Sequence, residues 1–308
     1  MLGVGEGPSP LLIIGALGPA IAAWSLSRKQ KYSVEESQHR RHRKMFLGAA
    51  LVAASVLTVY VLRGGKLTPD GQIDWINGGL LLLAVLLVAG ILAAGCSPNP
   101  GIRKRMASLL HWRKPWFSWA TAFFIYPAIL VMGVALAWGL GADISTPEAA
   151  TRPITEWVPL FVTGVLMTGF FRGGLEEPGW RGFMLPELQK TYSPLSASLL
   201  IAVAWALWHL PLHIAGFYSG PIVMEMALRI IRVIPLSILF TWMYNRSGGS
   251  LLLVVVLHAV HNNSGIIIPG TYWSFVPGVL LIGGFVIWDR MWQPLDRVEG
   301  EEHMENDD

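Results

Sequence analysis

Charge is scarce in this chain. Only 14% of its 308 residues are Asp, Glu, Lys or Arg, against about 25% in an ordinary soluble domain. Between the apolar runs no stretch is long enough to bury a soluble core of its own. Cysteine is all but absent: Cys96 stands alone, which excludes an intrachain disulfide framework and leaves a small apolar residue near a helix end. Met1 to Pro10 holds no basic residue, and no small-residue cleavage site follows the first apolar run, so no removable signal peptide is expected. Also missing are a Gly-x-Ser-x-Gly elbow, a Walker-type phosphate loop and a His-Glu-x-x-His helix. Serine, thiol and nucleotide chemistries therefore lack support.

What the chain has in abundance is apolar sequence, 53% hydrophobic with 14 tryptophans and a mean hydropathy of +0.49. Windows near the length needed to cross a ~30 Å hydrocarbon layer run from Leu11 to Leu26, Met45 to Leu62, Gly78 to Gly95, Phe117 to Leu140, Trp157 to Leu175, Leu195 to Ala215, Ile222 to Tyr244, Leu251 to Ile268 and Phe275 to Trp288. A spanning segment must satisfy its own backbone, so each is expected to be helical. The expected fold is all-α, a polytopic transmembrane bundle of about eight to nine helices around a polar cavity. Residues 1–110 read as N-terminal membrane helices with basic loops, 111–290 as the core, and 291–308 as an acidic, disordered tail.

The loops alternate in charge. Arg28, Lys29, Lys31, Arg40, Arg41, Arg43 and Lys44 crowd one, and Arg103, Lys104, Arg105, Arg113 and Lys114 another, while 63–75 and 141–156 are poor in positive charge. By the positive-inside bias the basic loops are cytoplasmic, which makes this a multi-pass integral membrane protein, in the plasma membrane if the host is prokaryotic. The run His39 to Lys44 then sets topology beside the lipid and is not a nucleic-acid patch.

Against that apolar background, Glu176, Glu177 and Arg181 stand in Gly174-Leu175-Glu176-Glu177-Pro178-Gly179-Trp180-Arg181. Ionisable groups at membrane depth are costly and mark functional sites. If they share a layer with the histidines below, the helix must continue past Leu175 to about Met184, through Pro178, with the cavity open to the cytoplasm. His209 and His213 are four apart, as are His258 and Asn262, so each pair occupies one helical face if the turn survives Pro211. A buried glutamate suits a general base, a histidine beside it can exchange protons with water, and a His with an Asn amide can donate to a developing oxyanion. These are parts for amide hydrolysis by water. Zinc held by Glu176, His209 and His258 is the alternative. On the seventh run, Glu225, Arg229 and Arg232 read as an i,i+4 ion pair with a snorkelling arginine, with a proton-relay transporter as the competing use of such charges.

Glu176-Glu177-x-x-x-Arg181, then Trp205-x-x-x-His209, then His258-x-x-x-Asn262 resembles the CPBP intramembrane protease family, which includes CAAX prenyl proteases and bacteriocin-processing proteins. The resemblance spans about 157–265. It implies Glu176 as base, His209 as its partner in activating water, and His258 with Asn262 as oxyanion donors. Glu177 and Arg181 become supporting residues; His213 and His261 are extra to the pattern, with His213 also read as supporting and both as residues that back or gate the site. It further implies an endopeptidase acting on a membrane-embedded or lipid-anchored peptide at the bilayer, with no nucleic acid and no cofactor beyond the zinc alternative. A non-proteolytic scaffold or immunity protein on the same fold is the other reading.

Overall fold

The computed structural model describes residues 18–27, 40–49, 51, 86–171, 173–214, 218 and 220–295. Among them no strand occurs, and the long regular elements are helices. They are α1 (Gly18–Ser27), α2 (Pro100–Met106), α3 (Trp116–Gly139), α4 (Ile154–Phe171), α5 (Pro194–Trp208), α6 (Leu210–Ile214), α7 (Ile222–Arg246), α8 (Leu251–Ser264) and α9 (Phe275–Trp288). Residues 40–49 and 86–94 are also helical. The expected spans 11–26, 45–62 and 78–95 lie partly outside the described residues, and so does all but the start of the 291–308 tail.

Three stretches are long and apolar enough to cross a membrane: Trp116–Gly139, Ile154–Gln189 and Pro194–Ile214. The first, with 24 residues, reaches about 36 Å at ~1.5 Å per residue. Trp116 and Trp138 stand at its two ends, 80% and 66% exposed, as tryptophans do where a helix meets both lipid–water boundaries. The chain is an integral membrane protein. α8 stops at Ser264 rather than at the expected Ile268, whereas α9 keeps the expected bounds 275–288; with 14 residues each reaches about 21 Å, short of the ~30 Å layer. α7 is long enough at 25 residues, but Glu225, Arg229 and Arg232 make it polar.

The chain divides into two compact units, 1–184 with 243–278 and 185–242 with 279–308. In the first, α8 packs on α3 and α4. Its core gathers Ala20, Ile91, Ala94, Ile102, Met106, Leu175, Leu251 and Val255. The basic stretch 102–114, expected as a loop, is helical through Leu110. The Asn99 side chain accepts from the Ile102 N–H and starts α2, which buries Ile102 and Met106, while Arg103 folds back to donate to the Ser97 carbonyl and Arg105 lies over the Phe183 ring. Lys114 Nζ donates to the Ser247 carbonyl at 2.8 Å, where α7 ends.

In the second unit, Ser193 caps α5 by accepting from the Ser196 N–H. Ser237 Oγ on α7 donates to the Ser198 carbonyl on α5 at 2.8 Å. Trp205 lies against Phe240, ring centroids 5.7 Å apart, and Trp242 stacks on Phe285 at 4.1 Å.

Candidate functional site

The chain between α4 and α5 stays helical but changes pitch repeatedly. Gly173–Glu176 is a 3₁₀ turn, Glu177–Gly179 a single α turn, Trp180–Met184 a π turn and Leu185–Gln189 α again. Pro178 sits in the first turn of its α segment, where its missing N–H has no partner to lose. The pitch changes surround Pro178, a residue that kinks or breaks a regular helix interior. A π turn inserts one residue and rotates the chain beyond it, a device common at functional sites. Gly179 is required by packing, since a Cβ there would collide with the backbone of Pro19 on α1. Every residue from Gly173 to Gly182 is buried, so the acidic pair is enclosed rather than displayed in a loop.

Glu177 and Arg181 are both 0% exposed. Arg181 Nη1 donates to both carboxylate oxygens of Glu177, at 3.2 and 3.0 Å, as the i,i+4 spacing implies. The new partner is His258 on α8, whose Nδ1 lies 2.7 Å from Glu177 Oε1. The motif segment and α8 therefore share one layer. With the carboxylate as acceptor, Nδ1 of His258 carries its proton toward Glu177. Two cations around one carboxylate, or one cation and a neutral ring, offset the cost of burying it.

The other nitrogen of that ring faces Gly173. A Cβ built there would run into His258 Nε2 and come within 3.1 Å of Asn262 Nδ2. His258 and Asn262 thus direct two side-chain nitrogens at one small space, kept open by a glycine three residues before Glu176. Asn262 is itself oriented. His261 Nδ1 lies 2.9 Å from Asn262 Oδ1, which turns the amide NH₂ away from His261, and Tyr126 on α3 meets the His261 ring at 4.3 Å. Glu176, 7% exposed, has Trp180 Nε1 donating to its Oε2 at 3.4 Å.

The second unit holds the other two predicted histidines. His209 caps the C-terminus of α5 and its Nδ1 lies 2.8 Å from the Trp205 carbonyl, so the helix breaks at the histidine and α6 resumes with Leu210. The turn survives in part: the His213 N–H reaches the His209 carbonyl at 3.3 Å. His213 is buried and Arg229 Nε donates to its Nε2 at 3.1 Å. Among the described residues no ion pair joins Arg229 to Glu225, in contrast to the i,i+4 pair that the spacing suggests. Within either unit, among the described residues, no three His, Cys, Asp or Glu side chains gather closely enough to hold a metal ion.

One residue beside the site has no sequence signature. Asn263 on α8 is buried, and its Nδ2 donates to Thr168 Oγ1 and to the Ala259 carbonyl, each at 2.8 Å. It clamps α8 to α4 against Gly164, where any Cβ would strike the Asn263 side chain. Adjacent to Asn262 in sequence, it meets α4 at Gly164 and Thr168 while Asn262 meets Gly173, and a pattern of spacings alone does not separate the two.

Residues 156–264 match the family described as type II CAAX prenyl endopeptidase, Rce1-like. A protein named CAAX prenyl protease 2, from Methanococcus maripaludis, is 29% identical over 147 residues, 46% of this chain and 52% of that protein. The chain spans about half the length of the curated relative it matches. The stretch that carries Glu176, Glu177, Arg181, His209, His213, His258 and Asn262 is thus similar to the Rce1-like CAAX prenyl endopeptidases, from residue 156 to residue 264.

Proposed function

We propose that this protein is an intramembrane endopeptidase that cleaves a prenylated or otherwise membrane-anchored peptide by direct attack of water. The observation that carries the reading is the pair of nitrogens, His258 Nε2 and Asn262 Nδ2, converging over Gly173 within the stretch that matches the endopeptidase family. Glu176 takes a proton from water, and the oxygen bonds to the scissile carbonyl carbon. The carbonyl oxygen gains the negative charge and accepts hydrogen bonds from Nε2–H and Nδ2–H. Donors fixed at the position of a developing oxyanion are worth about 10²–10³ in rate each. The tetrahedral species then expels the amine as the C–N bond breaks. The proton held by Glu176 passes to that amine, with His209 as the assisting acid or base.

Glu177 serves by orientation. It holds Nδ1–H of His258 and so aims Nε2, while Arg181 fixes the carboxylate from its other side. Donation from Nε2 requires the ring to carry both protons, and Glu177 is the countercharge placed to balance that state.

The same pair favours a second reading. A carboxylate behind Nδ1 is also how proteins orient a histidine that ligates metal through Nε2. In that version Glu176, His209 and His258 would be the residues to hold zinc, which would supply Lewis-acid polarisation of the water. One experiment separates these readings from a scaffold. Purified protein in lipid is given a prenylated C-terminal peptide, with and without a chelator, and its zinc content is measured. Chelator-insensitive cleavage that Glu176→Gln abolishes supports water activation. Stoichiometric zinc with chelator-sensitive cleavage establishes the metal version, and intact peptide in every arm leaves a non-proteolytic protein.

A further inference from the structure

Thr168 on α4 and Asn263 on α8 are buried, 2% and 8% exposed, and the proposed hydrolysis uses neither. Asn263 Nδ2 carries two hydrogens, and both are engaged. One goes to the Ala259 carbonyl a turn back on α8 and the other to Thr168 Oγ1 on α4, each at 2.8 Å. The bond to its own helix fixes the rotamer, so the side chain stands out from α8 as a rigid arm. The amide oxygen of that arm occupies the place that a Cβ at Gly164 would need. Gly164 and Thr168 are four apart and share a face of α4, so the arm enters a notch with no side chain at one end and an acceptor at the other. Apolar contacts between membrane helices permit sliding, whereas a buried amide is held to its hydrogen-bond partners. A slip of α8 by one residue moves it about 1.5 Å and turns it by about 100°, which carries the amide away from the hydroxyl.

On both helices the notch is close in sequence to the oxyanion donors and the space they face. Asn263 follows Asn262 and stands five residues after His258, and Gly173 stands five residues after Thr168. The bond from Glu177 aims the His258 ring but does not touch Asn262. Where the Asn262 backbone lies relative to Gly173 therefore depends on how α8 is set against α4. We propose that Asn263, through Thr168, is a positioning residue: it fixes the register of α8 on α4 and so holds Asn262 Nδ2 at the space over Gly173. The proposal rests on the endopeptidase reading for the reaction that Asn262 serves. A misplacement of about 1 Å at a reacting centre can cost about 10²-fold in rate, so a bond that touches no substrate still governs turnover.

The full-length protein in nanodiscs is assayed with a prenylated C-terminal peptide. Thr168→Val keeps the shape and removes the acceptor, and kcat falls about tenfold or more with KM unchanged. Thr168→Ser, which restores a hydroxyl, recovers most of the loss. Because Thr168 acts through Asn262, Thr168→Val adds no further loss in an Asn262→Ala background, whereas a merely structural role multiplies the two losses. Register is also read without turnover. A Cβ at Gly169 would lie 3.9 Å from that of Ala259, within the span of a disulfide. Gly169→Cys with Ala259→Cys, in a Cys96→Ala background, therefore closes under mild oxidant; Thr168→Val lowers the yield and Thr168→Ser preserves it. An unchanged kcat or an unchanged cross-link in Thr168→Val, or losses that multiply in the double variant, overturns the proposal. Intact peptide from the unsubstituted protein, with the cross-link still following the hydroxyl, removes the endopeptidase reading and keeps Asn263 as the register of the helix pair.

Discussion

Glu177 Oε1 and His258 Nδ1 lie 2.7 Å apart, although 81 residues separate them in sequence. This contact brings the acidic motif and α8 into one layer, and it makes Glu177 the hub between Arg181 and His258. Both oxygens of Glu177 are engaged, which is why the base proposed above is its neighbour Glu176.

Glu177→Gln removes the acid that stands between two buried bases. Breaking a buried pair from one side costs about 3–5 kcal/mol, whereas removing both charges is often neutral. Glu177→Gln therefore melts well below the parent protein, and Glu177→Gln combined with Arg181→Met recovers most of the loss. Cleavage stays absent in both, since the amide oxygen can still accept from Nδ1–H of His258 but no longer supplies the negative charge that balances a doubly protonated ring. A double variant no more stable than the single one would show that Glu177 is not Arg181's principal partner.

Glu176→Gln has the opposite signature. The amide fills the same volume and can still accept from Trp180, so the melting temperature moves little. A lost general base lowers turnover by about 10²–10⁴. The check is a melting curve beside single-turnover cleavage.

Gly173→Ala places a methyl group where His258 Nε2 and Asn262 Nδ2 converge. Cleavage falls sharply in a protein that still folds, because the methyl competes with substrate for that space and the 3₁₀ turn tolerates alanine. Retained turnover in Gly173→Ala would move the oxyanion elsewhere.

His261 acts through Asn262. His261→Ala frees the amide to turn over and lowers kcat with little effect on KM, whereas His261→Gln, which retains a donor near the Asn262 oxygen, restores part of kcat. A purely structural role would depress stability in both variants and leave no difference between them in kcat.

The three-part motif was legible because its residues repeat at four-residue intervals, and polar residues at helical spacing in apolar runs have few bland explanations. The long helices around 117–140 and 195–215 were legible from length and hydropathy. What escaped were relations between helices. The i,i+4 pairing of Glu177 with Arg181 is local, but the hydrogen bond from Glu177 to His258 depends on how α8 packs. Arg229 invites pairing with Glu225 by spacing, yet a cross-helix acceptor, His213, holds its Nε. The helical character of 100–110 was hidden because Arg103, Lys104 and Arg105 interrupt its apolar residues, while Ile102 and Met106 carry its burial. The short span of α8 was hidden because Gly265 to Ile268 is as apolar as the helix before it.

The bond between Glu177 and His258 also orders the protein's birth. The segment 173–184 leaves the ribosome with three ionised side chains, and translocation places a cost of about 2.5–3.5 kcal/mol on each charge of this kind at the centre of a lone helix. The residue that helps offset it arrives 81 positions later. A nascent chain cut before α8 should therefore leave 173–184 outside the lipid, and one cut after Ser264 should carry it in. Glycosylation mapping of the two truncations reads this directly, and equal insertion in both would show that the motif segment enters the bilayer without α8.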